Sequence, residues 1–355
     1  MEKTRIAVLF GGRSGEHSVS LHSAASVMRN LNADRYDIYP LGITRKGGWY
    51  WYRGTDMDAI ESDTWRADAV SAVLPPDPTV GGFFAVNDPG TVYPLDVVFP
   101  VMHGPNAEDG TIQGVCKLAD LPCVGAGVLG SAVSMDKAMT KTVLKHAGLN
   151  QVPYVVLYRH EWTDREQTAI ERIESALTYP VFVKPANLGS SVGITKVKER
   201  SGLIAALQEA DRYDPKLVIE QGIAAWEIEC AVLGNEKPRA STVGRIVPCH
   251  EFYDYAAKYE TGDDSELIIP ADIDESTQDQ IREMALTAYK ALNCAGLARV
   301  DFFYDPEGAK VYINELNTIP GFTRISMYAK LWAATGLPYP RLCDTLISLA
   351  IEKGL

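Results

Sequence analysis

Cysteine is scarce and unpatterned. The 355-residue chain holds six, and none forms a Cys-x-x-Cys pair or a zinc-like spacing with histidine. A disulfide-stapled scaffold and a structural zinc site are thereby excluded. Cys116, Cys123, Cys230, Cys249, Cys294 and Cys343 read instead as small buried apolar residues of a reducing compartment. Long hydrophobic runs are missing as well. No stretch approaches the ~20 residues of a membrane span, and residues 6–10 are too short for a signal-peptide core. These absences predict a cytoplasmic chain. Positive charge is in deficit, 34 Lys and Arg against 46 Asp and Glu, for a net charge of −12. Such a surface repels phosphate backbones and anionic lipid, so no nucleic acid and no membrane is expected as a partner. Any anionic ligand must be held by local cations, backbone amides or a metal.

What is present suits a soluble enzyme of small molecules. Hydrophobic residues make up 46% and charged residues 23%, and the length argues for two or three domains. The first third alternates apolar strands with helical patterns. Strands are expected at residues 6–10, 36–43, 97–101 and 123–124, with helices over 18–30 and 111–119, the pattern of a wound parallel sheet. Residues 53–88, with Pro75, Pro76, Pro78 and paired glycines, read as an irregular insertion. A second unit starts near Ser134, the expected N-cap of a helix over 135–146, and continues with strands at 154–157, 181–184 and 217–220. A third carries strands at 227–233 and 240–246, a helix at 275–292, a hairpin at 298–316 and a closing helix at 339–353.

Three glycine-rich loops could touch anions. Residues 11–20 (GGRSGEHSVS) join a strand to a helix, where amides and the helix dipole favour an anion. They lack both Gly-x-Gly-x-x-Gly and the Gly-Lys-Ser/Thr of a P-loop, and a plain tight turn explains them equally well. Glu16 at the helix start could hold a substrate ammonium. Residues 103–114 (HGPNAEDGTIQG) follow a strand's carboxyl end, where ligands of open α/β sheets gather, or simply begin a helix. In residues 181–197 an apolar strand ends in Lys184 and runs into Gly189-Ser190-Ser191-Val192-Gly193, a loop of small donors able to close over phosphates. A surface hairpin would account for the Gly and Ser but not for the strand-terminal lysine.

The strongest physical signal is residues 298–317 (ARVDFFYDPEGAKVYINELN). Asp305-Pro306-Glu307-Gly308 fits a type I turn followed by a left-handed Gly, so a three-residue loop is expected with Asp305 opposite Ala309. Arg299 then faces Glu315, with Asp301 and Asn317 on the same sheet face. Three oxygen side chains without His or Cys suit a hard cation. The plainer alternative is a solvated face with an Arg–Glu pair. The alternate residues Val300, Phe302, Val311 and Ile313 mark the opposite face as core.

Taken in order, GGRSGEHSVSL, HGPNAEDGTIQG, SMDK, KPANLGSSVGITKV, FYDYAAKY, ARVDFF and NELNTIPGFT resemble the ATP-grasp superfamily, and within it the D-alanine–D-alanine ligases. The resemblance runs from Arg5 to about Leu342. It implies an α/β (α+β) ATP-grasp fold of three domains: an N-terminal wound, Rossmann-like substrate domain (1–133), a central ATP-grasp subdomain (134–222) and a C-terminal ATP-grasp domain with magnesium and substrate sites (223–355). It also implies a homodimer. The implied reaction joins two D-alanines through an acyl phosphate made from ATP, with two Mg²⁺ (or Mn²⁺), for peptidoglycan precursors.

By the same resemblance Lys137, Lys184, Ser190, Ser191 and Lys258 would bind ATP, Lys137 and Lys184 at its phosphates, with Glu220 on the adenine amino group and Glu227 on the ribose. Asp301, Glu315 and Asn317 would hold the metal, and Arg299 with the Gly321 amide would stabilise the oxyanion. Glu16, Val19 and His103 would bind the first D-alanine, with Ser190 and Tyr259 completing a hydrogen-bonded chain, and Ser326 and Met327 the second. Met327 offers an apolar wall where D-serine-accepting relatives tend to carry Arg. A D-serine or D-lactate acceptor is the nearest rival, and a nicotinamide oxidoreductase and an idle nucleotide-binding protein are the more distant ones. Ala107, Ala256 and Ala329 depart from the usual motif residues.

Overall fold

The described residues, 2–248, 266–323 and 325–354 of a computed structural model, build three sheets. The first holds β1 (Thr4–Gly11), β2 (Tyr36–Ile43), β3 (Trp49–Tyr52), β4 (Ala69–Val73), β5 (Gly82–Ala85), β6 (Asp88–Pro94) and β7 (Val97–Pro100), in the order β6-β5-β4-β3-β2-β1-β7. Its parallel part is β2-β1-β7, and Cys123 adds a parallel bridge to Val98. Strand β1 separates two cores, with Ile6, Val8 and Phe10 on one side and Ala7 and Leu9 on the other. Burial on both faces is why it reads as an unbroken apolar run.

Residues 53–88 are not an irregular insertion. They contribute β4 and β5, and the antiparallel pairs β2–β3, β3–β4, β4–β5 and β5–β6 extend the sheet. The three prolines fall in one connection, between β4 and β5. Trp51, Phe83 and Tyr93 fasten the strands, with ring centres 4.5 Å apart for Trp51–Tyr93 and 5.2 Å for Phe83–Tyr93. Strands of four to seven residues are hidden by such turn-rich surroundings.

The second sheet, β10-β9-β11-β8, is antiparallel: β8 (Tyr154–Tyr158), β9 (Val181–Pro185), β10 (Thr195–Val197) and β11 (Lys216–Gln221). Helices Glu166–Ala176 and Leu203–Asp211 cover one face. Helix Lys137–His146 covers the other, with Ala138 against Ala186 and Val218. Ser134 does not cap that helix, because it lies inside an earlier one, Val128–Met135. The cap is Asp136, whose carboxylate accepts from the amides of Ala138 and Met139 at 3.0 Å each. Its charge also complements the helix dipole, which a serine hydroxyl cannot do.

The third sheet, β14-β13-β12-β15-β16, is antiparallel too: β12 (Trp226–Leu233), β13 (Arg239–Val247), β14 (Glu266–Ile268), β15 (Leu297–Asp305) and β16 (Lys310–Asn317). Helix Glu275–Ala291 packs Ile281, Ala285 and Tyr289 on the face of Val300, Phe302, Val311 and Ile313, the side expected to be core. The closing helix Tyr339–Gly354 ties the ends of the chain together. Leu342, Leu346 and Ile347 share one core with Ile6, Val8 and Phe99 of the first sheet and Leu233 of the third. Among the described residues no helix is long and apolar enough to cross a membrane.

Leu346 is fully buried in that shared core. Leu346→Ala is therefore expected to destabilise the fold by about 2–5 kcal/mol in denaturant unfolding. A loss below about 1 kcal/mol would show that the helix is docked elsewhere.

Candidate active site

The β15–β16 hairpin reaches its arrangement by a different register from the one its sequence suggests. Asp305 pairs with Lys310, so the connection has four residues, and the left-handed one is Ala309 (φ 48°) rather than Gly308. Gly308 answers a different need. The Asp305 carboxylate folds over the turn, accepting from the amides of Glu307 (3.1 Å) and Gly308 (3.0 Å), and a Cβ at 308 would lie 2.5 Å from its oxygen. Continued unbroken, this register would turn Glu315 into the core. A bulge that absorbs Asn314 corrects it, so that Asp301 pairs with Glu315 and Arg299 with Asn317. Arg299 thus faces Asn317, not Glu315. All four side chains still share the face away from the core.

Charge on that face is organised around Arg299. Its guanidinium clasps both Asp301 oxygens (2.8 and 2.7 Å) and pairs with Glu229 at 3.0 Å, while the Asn317 amide donates to Asp301 at 2.9 Å. Glu229 lies directly across from Asp301 on β12. Lys137 stands 3.9 Å from Glu315 and donates to the carbonyl of Leu188. Asp301, Glu315 and Asn317 offer only oxygen donors, and among the described residues no three Asp, Glu, His or Cys side chains form a metal cage. Such a set suits a hard cation that takes its remaining ligands from phosphate and water.

Behind Lys137 lies a buried trio. Lys184 and Lys141 both pair with Glu220, Lys141 at 2.8 Å. Burial works to raise the Glu220 pKa, but the two lysines outweigh it and hold the carboxyl down at about 2. Burial likewise opposes the charge on Lys184, and Glu220 more than restores it, leaving its pKa raised.

The far wall comes from the amino-terminal unit. Ser190 donates to Glu16, joining the Gly-Ser loop to the start of helix His17–Asn30. Gly104 (φ +73°) gives that carboxylate room, since a Cβ there would sit 2.5 Å from Glu16 Oε2. His103 is buried with its Nδ1 3.0 Å from the Ile319 carbonyl and its Nε2 3.1 Å from Ser23 Oγ. Burial lowers its pKa, so the neutral ring donates through Nδ1. Glu108 accepts from the Gly104 amide at 2.8 Å, and burial, followed by the nearby Glu16, pushes it up to about 8.

These walls enclose a cleft of about 1220 Å³ lined by Val19, Lys137, Lys184, Ser190, Ser191, Glu220, Glu227, Arg299, Asp301, Glu315, Gly321, Ser326 and Met327. Ser326 Oγ accepts from the Thr323 amide at 3.0 Å and lies beside Gly321, where a Cβ would meet it at 2.9 Å. Met327 is nearly buried among residues of the shared core and also borders the cleft. Glu16 and Asn317 reach the lining through Ser190 and Asp301, and His103 does not border the cleft. Tyr259 and Lys258 fall outside the described residues. Three participants had only faint signals in the sequence. Lys141 follows Lys137 by one helical turn, Glu229 alternates with Glu227 on one strand face, and Glu108 sits within an acidic helix start.

Comparison with known proteins gives a consistent pattern. A family model described as D-ala D-ala ligase N-terminus matches residues 5–126, and one described as D-ala D-ala ligase C-terminus matches residues 143–348. The chain is 54% identical to a D-alanine–D-alanine ligase of Thermoanaerobacter sp. over 99% of this chain and 98% of the relative. Among solved structures it resembles the VanG D-Ala:D-Ser ligase of Enterococcus faecalis, with TM-score 0.89, 41% identity, and coverage of 98% of this chain and 100% of that one. It also resembles the D-alanine–D-alanine ligase of Coxiella burnetii, with TM-score 0.86, 38% identity, and coverage of 100% and 95%.

Glu108 yields a pH test. It keeps its proton in the folded chain to about pH 8, whereas an unfolded glutamic acid releases it near about 4.3. Its contribution to stability is therefore complete below the unfolded value and is lost as pH rises through about 8. Glu108→Gln keeps the uncharged shape, so its melting temperature should climb relative to the parent's between about pH 5 and 9. A difference that stays flat with pH would contradict the assignment.

Proposed function

The chain belongs to the D-alanine–D-alanine ligase family, and we propose that its cleft joins two D-alanines at the expense of ATP. The supporting observation is the convergence on one cleft of phosphate-seeking lysines, a hard-oxygen face and an arginine. Lys137 stands 3.9 Å from Glu315 there, Arg299 holds Asp301, and Lys184 lines the same cleft. In the first step a D-alanine carboxylate oxygen attacks the γ-phosphorus, the bond to ADP breaks, and an acyl phosphate forms. In the second, the free amine of another D-alanine attacks the acyl carbon and expels phosphate. Such transfers need positioning and charge neutralisation more than covalent help from the protein.

Lys137, Lys184, Ser190, Ser191 and Lys258 bind ATP in this reading, Lys137 and Lys184 at its phosphates, and Glu227 holds the ribose. Glu220 spends two lone-pair sites on lysines and keeps others for the adenine amino group. Asp301, Glu315 and Asn317 hold two Mg²⁺ (or Mn²⁺). Bound there, the ions neutralise developing phosphoryl charge. Glu16 takes the first D-alanine ammonium, supported by Val19 and His103, and Tyr259 extends the Glu16–Ser190 contact. Arg299 and the Gly321 amide stabilise the tetrahedral oxyanion. Ser326 takes the second carboxylate beside Met327. The Gly-Ser loop excludes water, which would otherwise hydrolyse the acyl phosphate. The units 1–133, 134–222 and 223–355, a homodimer and a cytoplasmic location complete the proposal.

The direct test is phosphate release from ATP with D-alanine, D-serine, D-lactate and L-alanine offered singly and in pairs. D-alanine-dependent release with D-alanyl-D-alanine as product is expected, and its absence in Mg²⁺ would sink the reading. Asp301→Asn and Glu315→Gln should each lower kcat by at least about 100-fold while melting near the parent temperature. Near-normal turnover in either would remove it from the metal site.

The likeness to a D-Ala:D-Ser ligase makes acceptor choice a real question. The apolar Met327 favours a methyl group, although such a wall rejects an added hydroxyl by only about a hundredfold. With equal D-alanine and D-serine, mostly D-alanyl-D-alanine is expected. Mostly D-alanyl-D-serine would reassign the acceptor.

A further inference from the structure

Lys141 is almost wholly out of water, at 1% exposure, and no step of the proposed reaction uses it. It sits one turn after Lys137 on helix Lys137–His146, whose Ala138 packs with Ala186 and Val218. Its ammonium lies 2.8 Å from one Glu220 oxygen and 5.1 Å above the Tyr154 ring. The other Glu220 oxygen takes Lys184, which borders the cleft as Lys141 does not. A buried ammonium is costly to keep, so its retention needs a reason. The arithmetic of the trio supplies one. Lys184 alone against Glu220 is a neutral pair, with nothing left over to draw an anion. Two lysines on one carboxylate leave a net charge of one, and only Lys184 can present it to the cleft.

We propose that Lys141 is a positioning residue that neutralises Glu220 from behind and thereby keeps the charge of Lys184 available to nucleotide phosphate. The inference rests on the reading of Lys184 as a phosphate contact. It assigns Lys141 no contact with any substrate.

The test is displacement of a fluorescent ADP analogue by ADP and by adenosine, which lacks the phosphates. Lys141→Met keeps the apolar stem and leaves Glu220 still paired with Lys184, so no buried charge is stranded. It should lower ADP affinity relative to adenosine affinity by about tenfold, on the order of 1.4 kcal/mol, because any change at the adenine end through Glu220 is common to both ligands. Lys141→Arg keeps the charge and should retain the parent's ratio of ADP to adenosine affinity, even with a lower melting temperature. Unchanged ADP affinity in Lys141→Met, equal losses for ADP and adenosine, or a collapsed ratio in Lys141→Arg would each overturn the proposal. A parent chain that binds no ADP would instead overturn the phosphate reading on which it rests.

Discussion

A titratable side chain taken out of water must find a countercharge or a hydrogen-bond donor close by, or give up its charge, and the arrangement of this cleft follows from that requirement. Glu220 is satisfied by two lysines from two different elements, Arg299 by Asp301 and Glu229 on neighbouring strands, and Glu16 by a hydroxyl from the Gly-Ser loop. Glu108, beside Glu16, meets the same requirement by staying protonated. The Glu220 cluster lies within residues 134–222 and the Arg299 cluster within residues 223–355, whereas the Glu16–Ser190 bond and the Lys137–Glu315 pair cross between those stretches. Those two crossing contacts draw the walls of the cleft towards one another.

The apolar framework serves the same end. One core runs from the first sheet through the closing helix into the third, packing Ala231, Leu233 and Ile246 of that sheet in the same cluster as Leu21, Ala24 and Val27 of helix His17–Asn30. His103 and Tyr339 add polar stitches across that junction, to the carbonyls of Ile319 and Phe322. The wall bearing Glu16 and the wall bearing Ser326 are thereby held by packing, not by the loops that carry them. Enzymes that must exclude water from a reactive intermediate benefit from such preorganisation.

Much of this was legible in the sequence, for identifiable reasons. Strands buried on both faces announce themselves as apolar runs, as in β1, and alternation in β15 and β16 separates core from site. The three-residue loop that the sequence suggests puts the hairpin acids on the observed face through a different register. The four-residue connection and the Asn314 bulge each shift the pairing, and together they return Glu315 to the Asp301 side. A bulge depends on its partner strand and leaves little trace in its own sequence. The strands at residues 69–94 were obscured by prolines and glycines around very short segments. Lys141 and Glu229 carry little signal in the sequence because a lone lysine on a helix and a second acid on a strand look like solvated residues. Only the tertiary fold shows them buried.

The most direct measurement follows an oxygen atom. D-alanine labelled with ¹⁸O in its carboxylate, incubated with this chain, ATP and Mg²⁺, should give phosphate carrying one ¹⁸O for each dipeptide formed. The carboxylate oxygen that attacks phosphorus becomes the bridging oxygen of the acyl phosphate and leaves with the phosphate. Dipeptide formed with unlabelled phosphate would contradict the acyl-phosphate account of the cleft.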